Sequence, residues 1–330
     1  MTAPLSIGIL GAARIADNAM VQPAALTGHR LVAVGARDLG RAQEFATRHG
    51  VERAVGSYAE VLADPEVEVV YNPLVNSLHA PWNVAAVEAG KHVLSEKPFA
   101  ANGSEARAVA EVVRASGRVV MEAYHYAMHP LMERVRALLA SGEIGDLRHV
   151  EVTMIIPAPS DSDPRWSYDL AGGAVMDLGC YGLHAFRQVS GGTPIVRAAR
   201  GIERPGHPQV DEWVQAELDL PGGATAGLFT SMAGPEVLMR MTVTGTRGLV
   251  EAPCFVAPQV DDRLRIVVDG QERVESLGSR TSYAYQLEAF AAAVRGEAEP
   301  FLDLDDAVAT MDLIDDVYRA AGMPVRPSSL

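Results

Sequence analysis

The chain reads as an α/β domain built on a doubly wound parallel sheet, followed by an α+β domain with a largely antiparallel or mixed open sheet. Three observations predict this. From Leu5 to about Met121, short apolar runs alternate with amphipathic stretches, the pattern of strand–helix–strand units around a parallel sheet. After Tyr124 the texture changes to alternating strands such as His149 to Ile156, in which one face is apolar and the other polar. With 330 residues, 48% of them apolar, the chain is long enough for two cores of ordinary size. The division falls near Ala123, giving domains 1–123 and 124–330.

Taken in order, the strands of the first half are Leu5 to Leu10, Leu31 to Ala36, Val67 to Tyr71, His92 to Leu94 and Val119 to Met121. Helices Leu39 to His49 and Leu78 to Ala89 lie between them, closed by Gly50 and Gly90, glycine being the usual residue past a helix end. In the second half a helix from Leu131 to Ala140 precedes the strand at His149, and a loop of Pro, Asp and Ser precedes a helix near Ala174 to Val189. Strands Trp213 to Leu220, Ala224 to Ser231 and Val237 to Thr244 follow, with Pro221-Gly222-Gly223 turning between the first two. Two amphipathic helices, Tyr283 to Arg295 and Leu304 to Ala321, are expected to cover one face of that sheet.

Charge and cysteine content remove several function classes. Twenty-eight basic and 42 acidic residues leave a formal charge of −14, which argues against nucleic acid or an anionic membrane as partner. Two cysteines, Cys180 and Cys254, make no disulfide framework, and no secretory leader or apolar run of membrane-spanning length is read. A cytoplasmic protein is expected.

The first strand runs into Gly8-Ile9-Leu10-Gly11-Ala12-Ala13-Arg14-Ile15-Ala16. On the Gly-x-Gly-x-x-Gly/Ala fingerprint, Gly11 supplies the tight turn and Ala16 the close helix-to-strand packing. Ala13 stands where a second glycine usually lets backbone approach a pyrophosphate. One methyl group shifts the phosphate slightly and leaves the helix-terminal amides free. A Rossmann dinucleotide site is therefore expected at Gly11, Ala12, Ala13, Arg14 and Ile15. Past the second strand, where an acidic residue would meet a ribose 2′-hydroxyl, stand Ala36, Arg37 and Asp38. The planar donors of Arg37 suit a 2′-phosphate, so NADP is the expected cofactor, with NAD as the alternative. The competing reading pairs Arg37 with Asp38 or Glu44 as surface charge.

Open α/β sheets bind ligands beyond the carboxyl ends of their strands. Ser95-Glu96-Lys97-Pro98 leaves the strand at Leu94, so Lys97 points to that crevice, and Pro98 stiffens the turn and favours a cis bond. The bland alternative is a solvated loop lysine.

These segments, with Asn76-Ser77-Leu78-His79, Gly90-Lys91-His92 and Gly172-Gly173-Ala174 through Asp177-Leu178-Gly179-Cys180-Tyr181, resemble the Gfo/Idh/MocA oxidoreductases over nearly the whole chain. Tyr181, where inositol dehydrogenases carry histidine, places it nearest the dihydrodiol, xylose and glucose-fructose oxidoreductase branch. The resemblance implies an NAD(P)-dependent dehydrogenase or reductase, with a sugar, polyol, diol or related ketone held over the nicotinamide by the second domain. It implies Lys97 beside the reacting carbon, and Asp177 and Tyr181 as the proton-exchanging pair, four residues apart and so on one helical face. It places Asn72, Pro73, Asn76, His79, Glu96 and Lys97 along the cofactor cleft. Arg165 and Trp166 match the substrate-side loop, and Tyr124, Tyr126 and His184 are further substrate candidates. His125 and His129 have the spacing of two helical metal ligands, but Pro130 interrupts the helix and no third ligand is evident, so no metal is expected. A homodimer, or a dimer of dimers, is implied through the open sheet face that carries His149, Glu151, Thr153, Gln215, Glu217, Arg240 and Thr242. Two other classes exist on this fold. An NAD-dependent glycosidase fits Arg37 poorly, and a non-catalytic dinucleotide sensor would not need Lys97, Asp177 and Tyr181 together.

Overall fold

The computed structural model describes residues 4–330. By its contacts the chain forms two compact units: residues up to Tyr124 with Tyr283–Val308 and Ser328–Leu330, and His125–Ser282 with Ala309–Pro327.

The first unit holds six parallel strands: β1 (Ser6–Leu10), β2 (Arg30–Gly35), β3 (Arg53–Val55), β4 (Val69–Asn72), β5 (His92–Ser95) and β6 (Val120–Glu122). They lie in the order β3-β2-β1-β4-β5-β6. Ile7, Ile9, Val32, Val34, Val69, Val70 and Val93 are all buried, as expected of strands covered on both faces. The helices between them are α1 (Gln22–Thr27), α2 (Leu39–His49), α3 (Tyr58–Ala63), α4 (His79–Glu88) and α5 (Gly103–Ser116). Polar caps start three of them: Asp38, Ser57 and Asn102 accept the backbone N–H of Arg41, Glu60 and Glu105. The sequence reading missed β3, a three-residue edge strand with no fully buried position and therefore no periodic signal.

The order of this sheet reverses between β1 and β4, and that switch point sets the site. Ile9 pairs with Tyr71, Tyr71 with Leu94 and Asn72 with Ser95. The carboxyl ends of β1, β4 and β5 thus lie side by side, carrying Gly11, Asn72 and the Glu96-Lys97 turn.

The second unit holds α6 (Pro130–Ala140), β7 (Leu147–Ile155), α7 (Cys180–Ser190), β8 (Ile195–Arg204), β9 (His207–Asp219), β10 (Thr225–Ser231), β11 (Leu238–Gly245), β12 (Gly248–Ala252), β13 (Arg263–Val268) and β14 (Gln271–Ser276). Its sheet runs β14-β13-β12-β11-β7-β10-β9-β8, with β7–β10 parallel and the other pairs antiparallel, which makes it mixed. Val150, Val152, Met154, Val214, Ala216, Leu228 and Val243 form its buried face. Gly182 lets α7 sit close against that face, since a Cβ there would lie 2.6 Å from Leu228 Cδ1 and 3.0 Å from Val152 Cγ1. The opposite face presents His149, Glu151, Thr153, Gln215, Glu217, Arg240 and Thr242, none of them fully buried, as the alternation predicted. Strands β8 and β12 to β14 went unread. The β14 edge, Gln-Glu-Arg-Val-Glu-Ser, is polar in the way that blocks edge-to-edge pairing, the β8 edge carries Arg197 and Arg200 among small apolar residues, and β12 is only five residues long.

The terminal helices depart from expectation. Beyond its first residue, α8 (Ser282–Val294) belongs to the first unit, where the sequence reading assigns it to the second, and Arg295 just after it is paired with Glu68. α9 (Leu304–Ala320) begins in the first unit and passes into the second at Ala309.

Candidate active site

At the end of β1, Gly11 has φ +93° and its N–H donates to the Gly35 carbonyl at 2.7 Å, a conformation that favours glycine. Ala16 and Ala19 are fully buried, so the following helix packs tightly on the strand, with a π turn at Asp17–Val21 before α1. Ala12 and Ala13 are half-buried and Arg14 and Ile15 exposed, which leaves the start of that helix open at the strand end. This arrangement fits a pyrophosphate on backbone amides. Arg37 is exposed beyond β2 and has no hydrogen-bond or ion-pair partner among the described residues. Its two expected partners are engaged elsewhere: Asp38 caps α2, and Glu44 pairs with Arg48 at 2.5 Å. Arg41, which the sequence reading did not single out, reaches back so that Nη2 donates to the Ala12 carbonyl at 3.4 Å. Arg41 therefore brings a guanidinium to the turn.

At the ends of β4 and β5 a ladder of buried polar groups holds Lys97. Glu96 is 8% exposed; its carboxylate accepts from Tyr71 Oη at 2.7 Å and from the Lys97 N–H at 3.3 Å, while its own N–H donates to the Asn72 carbonyl at 3.0 Å. Asn72 Nδ2 donates to Asn83 Oδ1 at 2.9 Å and to the His79 carbonyl at 3.1 Å, and Asn83 Nδ2 donates to Ser95 Oγ at 2.8 Å. Burial, with the Glu96 charge beside it, pushes the Tyr283 phenol well above its ordinary range, so it stays protonated. Lys97 itself is half-buried between buried Glu96 and Pro98, across a cis peptide bond, and is no solvated loop lysine.

His79 is enclosed by its surroundings. Expected along the cofactor cleft, it is 1% exposed, with Nδ1 2.7 Å from the Pro98 carbonyl and Nε2 2.8 Å from the Leu74 carbonyl. Burial pushes its pKa down. It braces the two turns that carry Leu74 and Pro98. Asn72, Pro73 and Glu96 are likewise buried supports, whereas Asn76 and Lys97 keep some exposure.

In the second unit Asp177 lies in a π turn, Val175–Gly179, that leads directly into α7, with Tyr181 in its first turn. A regular helix was predicted; π turns of this kind occur often at functional sites. Asp177 Oδ2 accepts from Arg165 Nη1 at 3.4 Å, and Arg165 Nε also donates to Asp163 Oδ1 at 3.1 Å. Asp177 therefore presents a carboxylate already held by a cation. Tyr181 is 7% exposed, its Oη 3.4 Å from His125 Nε2.

Other candidates face inward. Trp166 is 2% exposed and donates its indole N–H to the Pro159 carbonyl at 3.3 Å, which ties it to its own loop. Tyr126 Oη and His184 Nδ1 bond to each other at 2.7 Å, both fully buried, with the Tyr126 ring 5.9 Å from that of Tyr181. Tyr124, the last residue of the first unit, is also fully buried. His129 caps α6, Nδ1 accepting from the Leu131 N–H at 3.1 Å, while Nε2 meets the Gly278 carbonyl at 3.0 Å.

Comparison with known proteins identifies the family of both units. The model of an oxidoreductase family with an NAD-binding Rossmann fold matches residues 5–124, and that of the GFO/IDH/MocA C-terminal domain matches residues 132–251. The chain belongs to the Gfo/Idh/MocA oxidoreductase family. It is 37% identical over 320 residues to D-xylose 1-dehydrogenase (NADP(+)) 2 of Haloferax volcanii, covering 96% of this chain and 97% of that protein. It is 31% identical over 312 residues to trans-1,2-dihydrobenzene-1,2-diol dehydrogenase of Sus scrofa, covering 89% and 90%. A 3-ketoreductase of Actinomadura kijaniata, solved with NADP and TDP-benzene, superposes with a TM-score of 0.89 at 28% identity over 96% of this chain and 98% of the other. This Gfo/Idh/MocA protein is thus an NAD(P)-dependent oxidoreductase, as its motifs implied.

One feature of this family member has no local signature in its sequence. Asp211 and Arg326, 115 residues apart, form an ion pair with both side chains fully buried. Arg326 Nε donates to the Gly172 carbonyl at 2.6 Å, Tyr318 Oη donates to Asp211 at 2.9 Å, and Asp211 Oδ2 accepts the Val175 N–H at 2.7 Å. The pair therefore anchors the Gly172-Gly173 turn and the start of the segment that carries Asp177 and Tyr181. Burial pushes the Tyr318 phenol well up, with Asp211 adding to the shift, which keeps it a donor.

Proposed function

We propose that the protein is an NADP-dependent oxidoreductase moving a hydride between nicotinamide and the hydroxyl or carbonyl carbon of a sugar, polyol, diol or related ketone. The observation that carries this reading is Lys97, held half-buried at the end of β5 by buried Glu96, next to the switch point of a nucleotide-binding sheet. The named relatives and the 3-ketoreductase support the substrate class.

Bound nicotinamide supplies or accepts the hydride. Lys97 donates to the substrate oxygen and stabilises the charge that develops there. Tyr181 passes the proton to or from that oxygen. Asp177, held by Arg165, orients a neighbouring substrate hydroxyl. A turnover screen of sugars, polyols, trans-diols and diketones with NADP⁺ and NADPH tests the proposal. Net cofactor turnover with members of this set is expected; bond cleavage without it would favour a glycosidase and overturn the reading.

The free Arg37 supports the choice of NADP, and Arg41 extends it. NADPH is expected to bind more tightly than NADH, with Arg37→Ala removing most of the difference and Arg41→Ala a smaller part. A charge-assisted contact contributes roughly 1.5–3 kcal/mol, about ten-fold to a hundred-fold in affinity. Equal dissociation constants for the two cofactors in the unmutated protein would refute it.

The open face of the second sheet supports a homodimer. Its central row pairs Thr242 with Glu151, Glu151 with Gly227 and Gly227 with Glu217, and Trp213 and Phe229 lie nearby with ring centroids 6.0 Å apart. Such a surface suits a wet, polar contact with an aromatic centre. Light scattering at micromolar concentration should give twice the chain mass, and a monomeric mass would sink the idea. Cys180 and Cys254 are not joined in a disulfide, consistent with the cytoplasmic setting we assign.

A further inference from the structure

Behind Tyr181 the second unit holds a chain of polar groups that the mechanism above leaves unused. Tyr181 Oη lies 3.4 Å from His125 Nε2, His125 Nδ1 lies 2.7 Å from Ser282 Oγ, and Ser282 Oγ donates to Gln259 Oε1 at 3.2 Å. His125 is 2% exposed and Ser282 fully buried, while Gln259 is half-buried. With the Ser282 hydroxyl proton directed at the Gln259 carbonyl oxygen, Ser282 Oγ accepts from His125, which places the imidazole proton on Nδ1. Nε2 then turns a lone pair toward the Tyr181 hydroxyl. An imidazole oriented through its far nitrogen is the standard arrangement of a proton acceptor.

We propose that His125 takes up the proton that Tyr181 receives from substrate during oxidation, and returns it during reduction, with Ser282 and Gln259 fixing its tautomer. The inference rests on the reading of Tyr181 as the proton-passing residue. In the oxidative direction the carbon-bound hydrogen leaves as hydride to bound nicotinamide, which is reduced. The substrate O–H bond breaks, its electrons form the carbonyl, and its proton joins Tyr181 Oη as the proton of Tyr181 moves to His125 Nε2. The resulting imidazolium donates to Tyr181 and to Ser282 and later loses its proton to solvent. His125 does not touch substrate; it is a positioning residue that acts through Tyr181.

The first test needs no turnover. In ¹⁵N-histidine NMR of the protein, His125 should carry its proton on Nδ1; Ser282→Ala should move it toward Nε2, and Ser282→Thr should restore it. A proton on Nε2 in the unmutated protein would overturn the proposal, whether or not any His125 variant folds. In kinetics, His125→Gln should lower kcat by about ten-fold to a hundred-fold with substrate KM and NADPH affinity nearly unchanged. The dependence of kcat on deuterium content should be curved in the unmutated enzyme, as for two protons in flight, and linear in His125→Gln. If Tyr181→Phe loses activity while His125→Gln keeps both its rate and its curvature, the role of His125 fails and that of Tyr181 stands. If Tyr181→Phe itself keeps near-normal kcat, the underlying reading of Tyr181 fails.

Discussion

Lys97→Met and Tyr181→Phe should each lower kcat by about a hundred-fold or more, the scale on which acid–base and charge-stabilising help is lost, while NADPH affinity stays nearly intact. Both substitutions are conservative toward the fold. The Glu96 carboxylate keeps its bond from Tyr71 Oη and from the residue-97 backbone N–H when the ammonium is removed. Phenylalanine at 181 keeps the ring contacts to His125 and Tyr126, with centroids 6.1 and 5.9 Å away, and removes only the hydroxyl. Steady-state rates on a substrate found by the screen, with fluorescence titration of NADPH, decide the matter. Near-normal kcat in Tyr181→Phe would exclude that hydroxyl as proton donor, and near-normal kcat in Lys97→Met would assign the lysine to binding alone.

Arg326→Ala should destabilise the second unit by about 3–5 kcal/mol, because it leaves the Asp211 carboxylate buried without its cation. The guanidinium also lies 4.1 Å from the centre of the Tyr318 ring, and it donates to the Gln209 and Pro324 carbonyls at 3.0 Å, so truncation strands several groups at once. Arg326→Lys should recover little, since a single ammonium cannot reproduce that fork of donors. The double change Asp211→Leu with Arg326→Met should cost less than either single loss, as expected when a buried pair is replaced together. Urea unfolding followed by tryptophan fluorescence in a Trp82→Phe background reads the second unit, since Trp166 and Trp213 both lie there. A loss below about 1 kcal/mol for Arg326→Ala would show that water reaches Asp211 and that the pair is no anchor. Because Asp211 also holds the start of the Asp177 segment, the same variant should lose activity before it loses the fold.

The two kinds of prediction draw on different information. For the first, the roles of Lys97, Asp177 and Tyr181 come from the resemblance of their motifs to the family, and the frame around them was readable along the chain: alternating apolar runs for the parallel sheet, Gly11 at a tight turn, a lysine just past a buried strand, and Asp177 and Tyr181 four residues apart. Each is a short-range signal, because strand alternation, turn chemistry and helical spacing act over a few neighbouring residues. The tertiary structure alone decided the rest. Arg41 reaches the Ala12 carbonyl, Asp211 meets Arg326 from 115 residues away, and His125 meets Ser282 from 157 residues away. It also showed that His79, Trp166, Tyr126 and His184 are buried and hydrogen-bonded within the fold. A polar side chain carries no local mark of which distant backbone carbonyl or carboxylate will meet it, since that depends on where the packed strands and helices bring the two together.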